Sequence, residues 1–187
     1  ILVFGGSRGA HSINVAIADA APTLAAAAQP PRLCLQTGAD DEAMVRDAFV
    51  DYPDDRIEIH SFIDDMPARL AAADLVVCRA GASTLSELAA AGRTAILIPY
   101  PFAADDHQRH NAETMSEAGA AVVMLDSDMD GRVLAERMLE LGADGERLSE
   151  MSRAAKSLGL PQATGAIADV ADGLLGRAAG KRGADVS

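Results

Sequence analysis

A parallel β-sheet flanked by helices is the fold class that this sequence predicts, and three observations predict it. Short apolar runs recur along the chain, each separated from the next by a stretch long enough to hold a helix, which is the pattern of parallel strands joined by right-handed crossovers. Apolar residues make up 49% of the 187 residues while aromatics are only 3%, so the core is built from Ala, Val, Leu and Ile packed in layers. A glycine-rich segment, Gly5-Gly6-Ser7-Arg8-Gly9-Ala10, follows the first apolar run and opens a helical pattern. Together these give a single Rossmann-like α/β domain, with 187 residues sufficient for one well-developed core.

The strand-like runs lie at residues 1–4, 33–35, 57–59, 75–78, 95–98 and 121–125. Helix starts are legible between them: Asp40 or Asp41 before Met44 and Val45, Asp64 before Met66 and Pro67, and Ser83 or Thr84 before Leu85 and Leu88. Glu87, three residues after Thr84, fits a capping box. Beyond residue 125 the pattern is helical only, over 131–141, 146–158 and 163–177, and these helices are expected on the flank of the sheet. From Ala178 onward Gly, Lys, Arg, Asp and Ser predominate without periodicity, so the domain is expected over 1–178 and a disordered tail over 179–187.

Charge and composition exclude several classes of function. The net charge of −12 repels phosphate-rich polymers and anionic lipid surfaces, which argues against a nucleic-acid partner. No apolar run approaches the roughly 20 residues that span a bilayer, so no transmembrane segment is expected and the domain should be soluble by itself. The two cysteines, Cys34 and Cys78, sit in or at the end of apolar runs and read as small core residues of a reducing compartment. The sequence opens directly on strand-like Ile1-Leu2-Val3-Phe4 without Met, which reads as a piece of a longer chain.

A glycine loop between a buried strand and a helix gathers free backbone N–H groups and the positive end of the helix dipole, a ready phosphate site. A tight turn with no ligand accounts for the loop equally well. Gly9 is followed by Ala10 and His11, not by the Lys-Ser/Thr of an ATP-hydrolysing P-loop. The spacing is also not that of a dinucleotide site, and the second strand ends in Gln36-Thr37-Gly38 with no acid to hold a ribose.

Ligands of open parallel sheets gather beyond the carboxyl ends of the strands. There the chain carries Phe62-Ile63-Asp64-Asp65-Met66, then Cys78-Arg79-Ala80-Gly81-Ala82-Ser83-Thr84 with Ser86-Glu87, then Asp106-His107-Gln108 with Asn111-Ala112. Taken in order with the glycine loop and Gln36-Thr37-Gly38, these motifs resemble the C-terminal domain of the MurG family over residues 1–171. That family transfers N-acetylglucosamine to lipid I in peptidoglycan synthesis, the pathway behind cell shape and division.

The resemblance implies the C-terminal half of a two-domain GT-B glycosyltransferase, the half that holds the UDP-sugar donor. By position, Ser7 and the backbone of Arg8, Gly9 and Ala10 would hold the diphosphate, Ile63 would meet the uracil, and Glu87 would accept the ribose hydroxyls. Ala82, Ser83 and Thr84 would border the phosphate and sugar, and His107 with Gln108 would read the N-acetylglucosamine hydroxyls. At the position of Ser83, family members often carry a larger apolar residue.

The resemblance implies no cofactor and no catalytic metal, UDP-N-acetylglucosamine as ligand, and lipid I as partner through an N-terminal domain absent from this chain. It also places the general base there, so the isolated chain is expected to bind donor without transferring sugar. It implies a bacterial cytoplasmic location, with the full-length enzyme peripheral on the cytoplasmic face of the inner membrane.

Plainer readings stand beside these roles. In these, Glu87 closes the capping box with Thr84, Ile63 belongs to the core, and Gln108 and Asn111 lie on a solvated helix face. Arg79 pairs with Asp74 or Asp105, and His107 with His110 near Asp105 and Asp106 forms a metal site. His11 and His60 have no spacing that suggests chemistry. A UDP-N-acetylglucosamine 2-epimerase, or a nucleotide-binding module without catalysis, shares the same architecture.

Overall fold

The computed structural model describes residues 1–6 and 10–159. The centre of the glycine loop, the helix expected at 163–177 and the tail at 179–187 lie outside them. Within the described residues all six expected strands form: β1 (Leu2–Phe4), β2 (Leu33–Gln36), β3 (Ile57–His60), β4 (Leu75–Cys78), β5 (Thr94–Leu97) and β6 (Ala121–Val123). They pair in parallel in the order β3-β2-β1-β4-β5-β6. The order reverses at β1, with Val3 opposite both Leu35 and Val77, and the reversal opens a crevice above the carboxyl ends of β1 and β4.

Alternation along each strand divides the core between the two faces of the sheet. Val3, Leu35, Val77 and Ile96 pack toward α1 (His11–Ala25), α2 (Glu42–Ala48) and α6 (Gly131–Ala143), meeting Ile13, Ile17, Val45, Leu134 and Met138. Leu2, Phe4, Val76, Cys78 and Leu97 pack toward α3 (Met66–Ala72), α4 (Ala82–Ala91) and α5 (His107–Glu117), meeting Leu70, Leu88 and Met115. The last helix, α7 (Gly145–Leu158), lies on α4 and contributes Met151 to one face and Ala155 to the other.

Small residues replace aromatics as the means of close packing. Ala16 and Ala20 on α1 are buried, and a Cβ added to Gly131 at the start of α6 would lie 2.4 Å from the Asp19 Cβ and 2.5 Å from the Asp19 carbonyl carbon. Gly131→Ala therefore forces α1 and α6 apart, with an expected loss of about 1–3 kcal/mol in a urea titration.

The helix starts correct the sequence reading in detail. Asp65, not Asp64, caps α3, its carboxylate accepting from Ala68 N at 3.3 Å. Asp41 precedes α2, but its carboxylate is drawn away to Asn14 and His11. Helix α4 begins at Ala82, because Gly81 takes the extended N-cap conformation (φ −68°, ψ 145°) and its carbonyl already accepts from Leu85 N at 3.0 Å. Ser83 and Thr84 are thus inside the first turn, and the capping box expected between Thr84 and Glu87 does not form.

Candidate functional site

Helices α1 and α4 follow β1 and β4 and so start on either side of the crevice. Neither has a side-chain cap: Ala10 and Gly81 occupy the N-cap positions; α2 and α5 also lack one, whereas α3, α6 and α7 are closed by the carboxylates of Asp65, Asp130 and Asp144. The first intrahelical acceptors, Ala10 O for Asn14 N and Gly81 O for Leu85 N, leave the N–H groups of the opening turns without helical partners. For α4 those are the amides of Ala82, Ser83 and Thr84. Two sets of unpaired donors and two positive dipole ends meet at one mouth, an arrangement that suits a diphosphate.

Of the glycine loop, Ser7, Arg8 and Gly9 lie outside the described residues, but both ends are fixed. A Cβ on Gly5 would lie 2.2 Å from the Ala10 Cβ, so Ala10 packs directly against Gly5, and Gly6 takes the left-handed φ of 104°. Buried Gln36 then ties this loop to the next strand end: its Nε2 donates to Gly6 O at 2.9 Å and its Oε1 accepts from Ile63 N at 2.9 Å. A polar side chain closing a buried strand was the available signal for this bridge, and the sequence reading used Gln36 only as part of a motif.

Beneath the loop, buried Asn14 donates to Thr37 O and to Asp41, each at 2.7 Å. Burial alone would raise Asp41, but the hydrogen bonds from Asn14 and His11 outweigh it and hold the carboxyl below its usual range.

The remaining expected residues divide clearly. Glu87 is exposed and makes no hydrogen bond or ion pair among the described residues, which removes the capping role. Ala82 and Ser83 are exposed and Thr84 is half-buried beside them. Ile63 is 6% exposed and its side chain packs in the core, while its N–H donates to Gln36 Oε1.

Gln108 and Asn111 do not lie on a solvated face. Gln108 Oε1 accepts from Tyr100 N at 3.0 Å, its Nε2 having no partner among the described residues, and Asn111 Nδ2 donates to Ala80 O at 3.1 Å, fastening α5 to the loop before α4. His107 Nδ1 bonds Ala104 O at 2.6 Å, whereas His110 turns to Glu113 at 3.6 Å. The two imidazoles are therefore held by different partners and do not converge.

The plainer reading of Arg79, a pair with Asp74 or Asp105, does not form; Arg79 pairs with Asp126, 2.5 Å away. The reason is topological: β6 lies beside β5, so the turn after β6 brings Asp126 over the end of β4. Arg79 also donates to Ile98 O, Pro99 O and Ser12 Oγ at 3.2, 3.3 and 2.7 Å, and its guanidinium lies 5.5 Å from the Tyr100 ring centre. Ser12 in turn donates to Asp126 at 2.8 Å. One neutralised cation thus joins the start of α1 to the ends of β4, β5 and β6.

Neither cysteine is bonded to the other. Burial first, and then the negative charge of Glu87, push the Cys78 thiol far up, so it is a neutral core group. A cavity of about 960 Å³ lies at the opposite ends of the strands, lined by Ile1, Arg32, Leu75, Arg93 and Leu148 among others. The uncapped turns of α1 and α4 and the polar strand-end residues are at the other end of the sheet.

Among the described residues no helix is long and apolar enough to cross a membrane. Residues 1–167 match the glycosyltransferase family 28 C-terminal domain. The UDP-N-acetylglucosamine–N-acetylmuramyl-(pentapeptide) pyrophosphoryl-undecaprenol N-acetylglucosamine transferase of Anaeromyxobacter sp. (strain K) is 45% identical over 172 residues, covering 91% of this chain and 44% of that protein.

The crystal structure of Acinetobacter baumannii MurG superposes with a TM-score of 0.81 at 34% identity, covering 90% of this chain and 48% of that one. UDP-GlcNAc 2-epimerase from Neisseria meningitidis bound to UDP-GlcNAc superposes with a TM-score of 0.61 at 10% identity, a likeness of fold alone. The chain spans under half the length of these transferases.

Proposed function

The chain belongs to the glycosyltransferase family 28 C-terminal domain family, and from that premise we propose that it is the donor-binding half of an inverting N-acetylglucosaminyltransferase of peptidoglycan synthesis. Its fold is the C-terminal, Rossmann-like half of a GT-B enzyme. The donor in this reading is UDP-N-acetylglucosamine and the acceptor is the 4-hydroxyl of lipid I. The observation that carries it is the pair of uncapped helices, α1 and α4, on either side of the crevice where the strand order reverses.

The diphosphate would rest on Ser7 and the amides of Arg8, Gly9 and Ala10 from one side and on the first turn of α4, Ala82 to Thr84, from the other. Glu87, exposed and unpaired among the described residues, would accept both ribose hydroxyls, with the backbone at Ile63 bordering the base. Gln108, whose Nε2 has no partner among the described residues, and His107 would read the sugar hydroxyls.

In the reaction the acceptor oxygen forms a bond to the anomeric carbon from the face opposite the diphosphate. The bond from that carbon to the phosphate oxygen breaks, and its electron pair leaves with UDP. Charge grows on the diphosphate as this happens, so the amides at the two helix starts stabilise the transition state more than the ground state. The hydroxyl proton passes to a base on the N-terminal half, where the acceptor and the membrane surface of a peripheral enzyme would also be met. The chain alone would bind donor and transfer nothing.

Calorimetric titration with UDP, UDP-glucose and UDP-N-acetylglucosamine tests the reading, with binding of all three and preference for the last expected. Gln108→Ala is expected to weaken the two UDP-sugars by about 1 kcal/mol while sparing UDP. Equal losses for UDP and its sugars would remove Gln108 from its role, and no binding of any uridine ligand would remove the donor site. The epimerase reading predicts UDP-N-acetylmannosamine from a complete enzyme given UDP-N-acetylglucosamine alone.

A further inference from the structure

Sequence spacing gives His60 no chemical partner, but the sheet does. In the parallel register of β2 and β3, Cys34 stands opposite Glu58 and Gln36 opposite His60. Glu58 and His60, two residues apart on one strand, project from the same face, and the cross-strand Cys34 projects with them. The Cys34 sulfur, a Glu58 carboxylate oxygen and a His60 ring nitrogen all lie within 4.8 Å of one another, and His60 Nε2 is 3.2 Å from Glu58 Oε2. Cys34 and His60 are half-buried and Glu58 is exposed, so the cluster is sheltered on its strand side and open toward solvent.

One thiolate, one imidazole and one carboxylate form a donor set suited to zinc and to its spectroscopic substitute cobalt(II), and poorly suited to magnesium or calcium. Two donors at i and i+2 on one strand with a third on its neighbour can supply three of the four ligands that a zinc-class ion takes, with water as the fourth. We infer that Cys34, Glu58 and His60 form a three-donor site for a zinc-class divalent ion, separate from the donor mouth and independent of the proposed transferase function.

A cation already stands at the cluster. Arg69, from α3, places Nη1 2.8 Å from the Glu58 oxygen that His60 also meets. Its side chain is 37% exposed, so it can turn outward to solvent when a metal ion takes that oxygen. Binding is then an exchange: metal bonds form to sulfur, oxygen and nitrogen, the Cys34 thiol proton goes to solvent, and the guanidinium leaves Glu58. The exchange ties down the carboxyl end of the edge strand β3, whose His60 carbonyl accepts from Thr37 N at 3.0 Å and whose next residues lead to Ile63.

Cobalt(II) added to the intact chain reads this site directly, because only a coordinated thiolate gives a sulfur-to-cobalt charge-transfer band in the near ultraviolet. The chain has two cysteines, and the other, Cys78, is wholly buried in the core. The expected result is a saturable band that zinc abolishes, that Cys34→Ser removes, and that His60→Asn weakens severalfold. Arg69→Met, which removes the competing cation and no donor, is expected to tighten cobalt binding severalfold. Thermal melts of each variant verify that the fold is retained. Absence of a band in the parent chain, or a band that survives Cys34→Ser, would overturn the site, and unchanged affinity in Arg69→Met would overturn the exchange.

Discussion

Replacing Arg79 by alanine is expected to lower the stability of the domain by about 2 kcal/mol, within the range for losing hydrogen bonds to charged groups. Arg79 is 12% and Asp126 21% exposed, so removing the guanidinium leaves a part-buried carboxylate without its counter-charge. It also takes a donor from Ile98 O and Pro99 O and a partner from Ser12, uncoupling the start of α1 from the ends of β4, β5 and β6. Arg79→Lys keeps the charge but not the planar fork that reaches these partners together, and is expected to recover only part of the loss. Urea denaturation of the two variants measures both effects, and a loss under about 1 kcal/mol in Arg79→Ala would place the pair among surface ion pairs of little consequence.

Replacing Glu87 by alanine should do the reverse, sparing stability and costing affinity. Glu87 is exposed and bonds nothing among the described residues, so stability is expected to hold within about 0.5 kcal/mol of the parent. UDP and UDP-N-acetylglucosamine should both weaken by about 1–3 kcal/mol, because the carboxylate would accept from the ribose that they share. A capping role predicts the opposite pattern, with a stability loss of about 1 kcal/mol and affinity unchanged. Parallel denaturation and calorimetry on the one variant therefore separate the two readings.

Such contrasts show where this sequence is legible and where it is not. The strands are legible because a parallel sheet covered on both faces demands continuous apolar runs, and 75–78 is an unbroken one. The motifs are legible for a related reason, since each lies at or beyond the carboxyl end of a strand.

What escapes the sequence depends on which strands become neighbours. Arg79 meets Asp126 only because β6 lies beside β5, and Cys34 meets Glu58 and His60 only through the register of β2 against β3. The start of α4 was misplaced for a local reason: Gly81 serves as N-cap without a side chain, while Thr84 with Glu87 offered a more familiar but unused signal. Ile63 shows a third limit, because its place after β3 does not say that its side chain packs into the core.

A crystal structure of the chain with UDP-N-acetylglucosamine bound bears most directly on the donor site. The diphosphate is expected between the first turns of α1 and α4, above the carboxyl ends of β1 and β4, with both ribose hydroxyls on Glu87. Nucleotide found in the cavity at the opposite ends of the strands, beside Arg32 and Arg93, would contradict it.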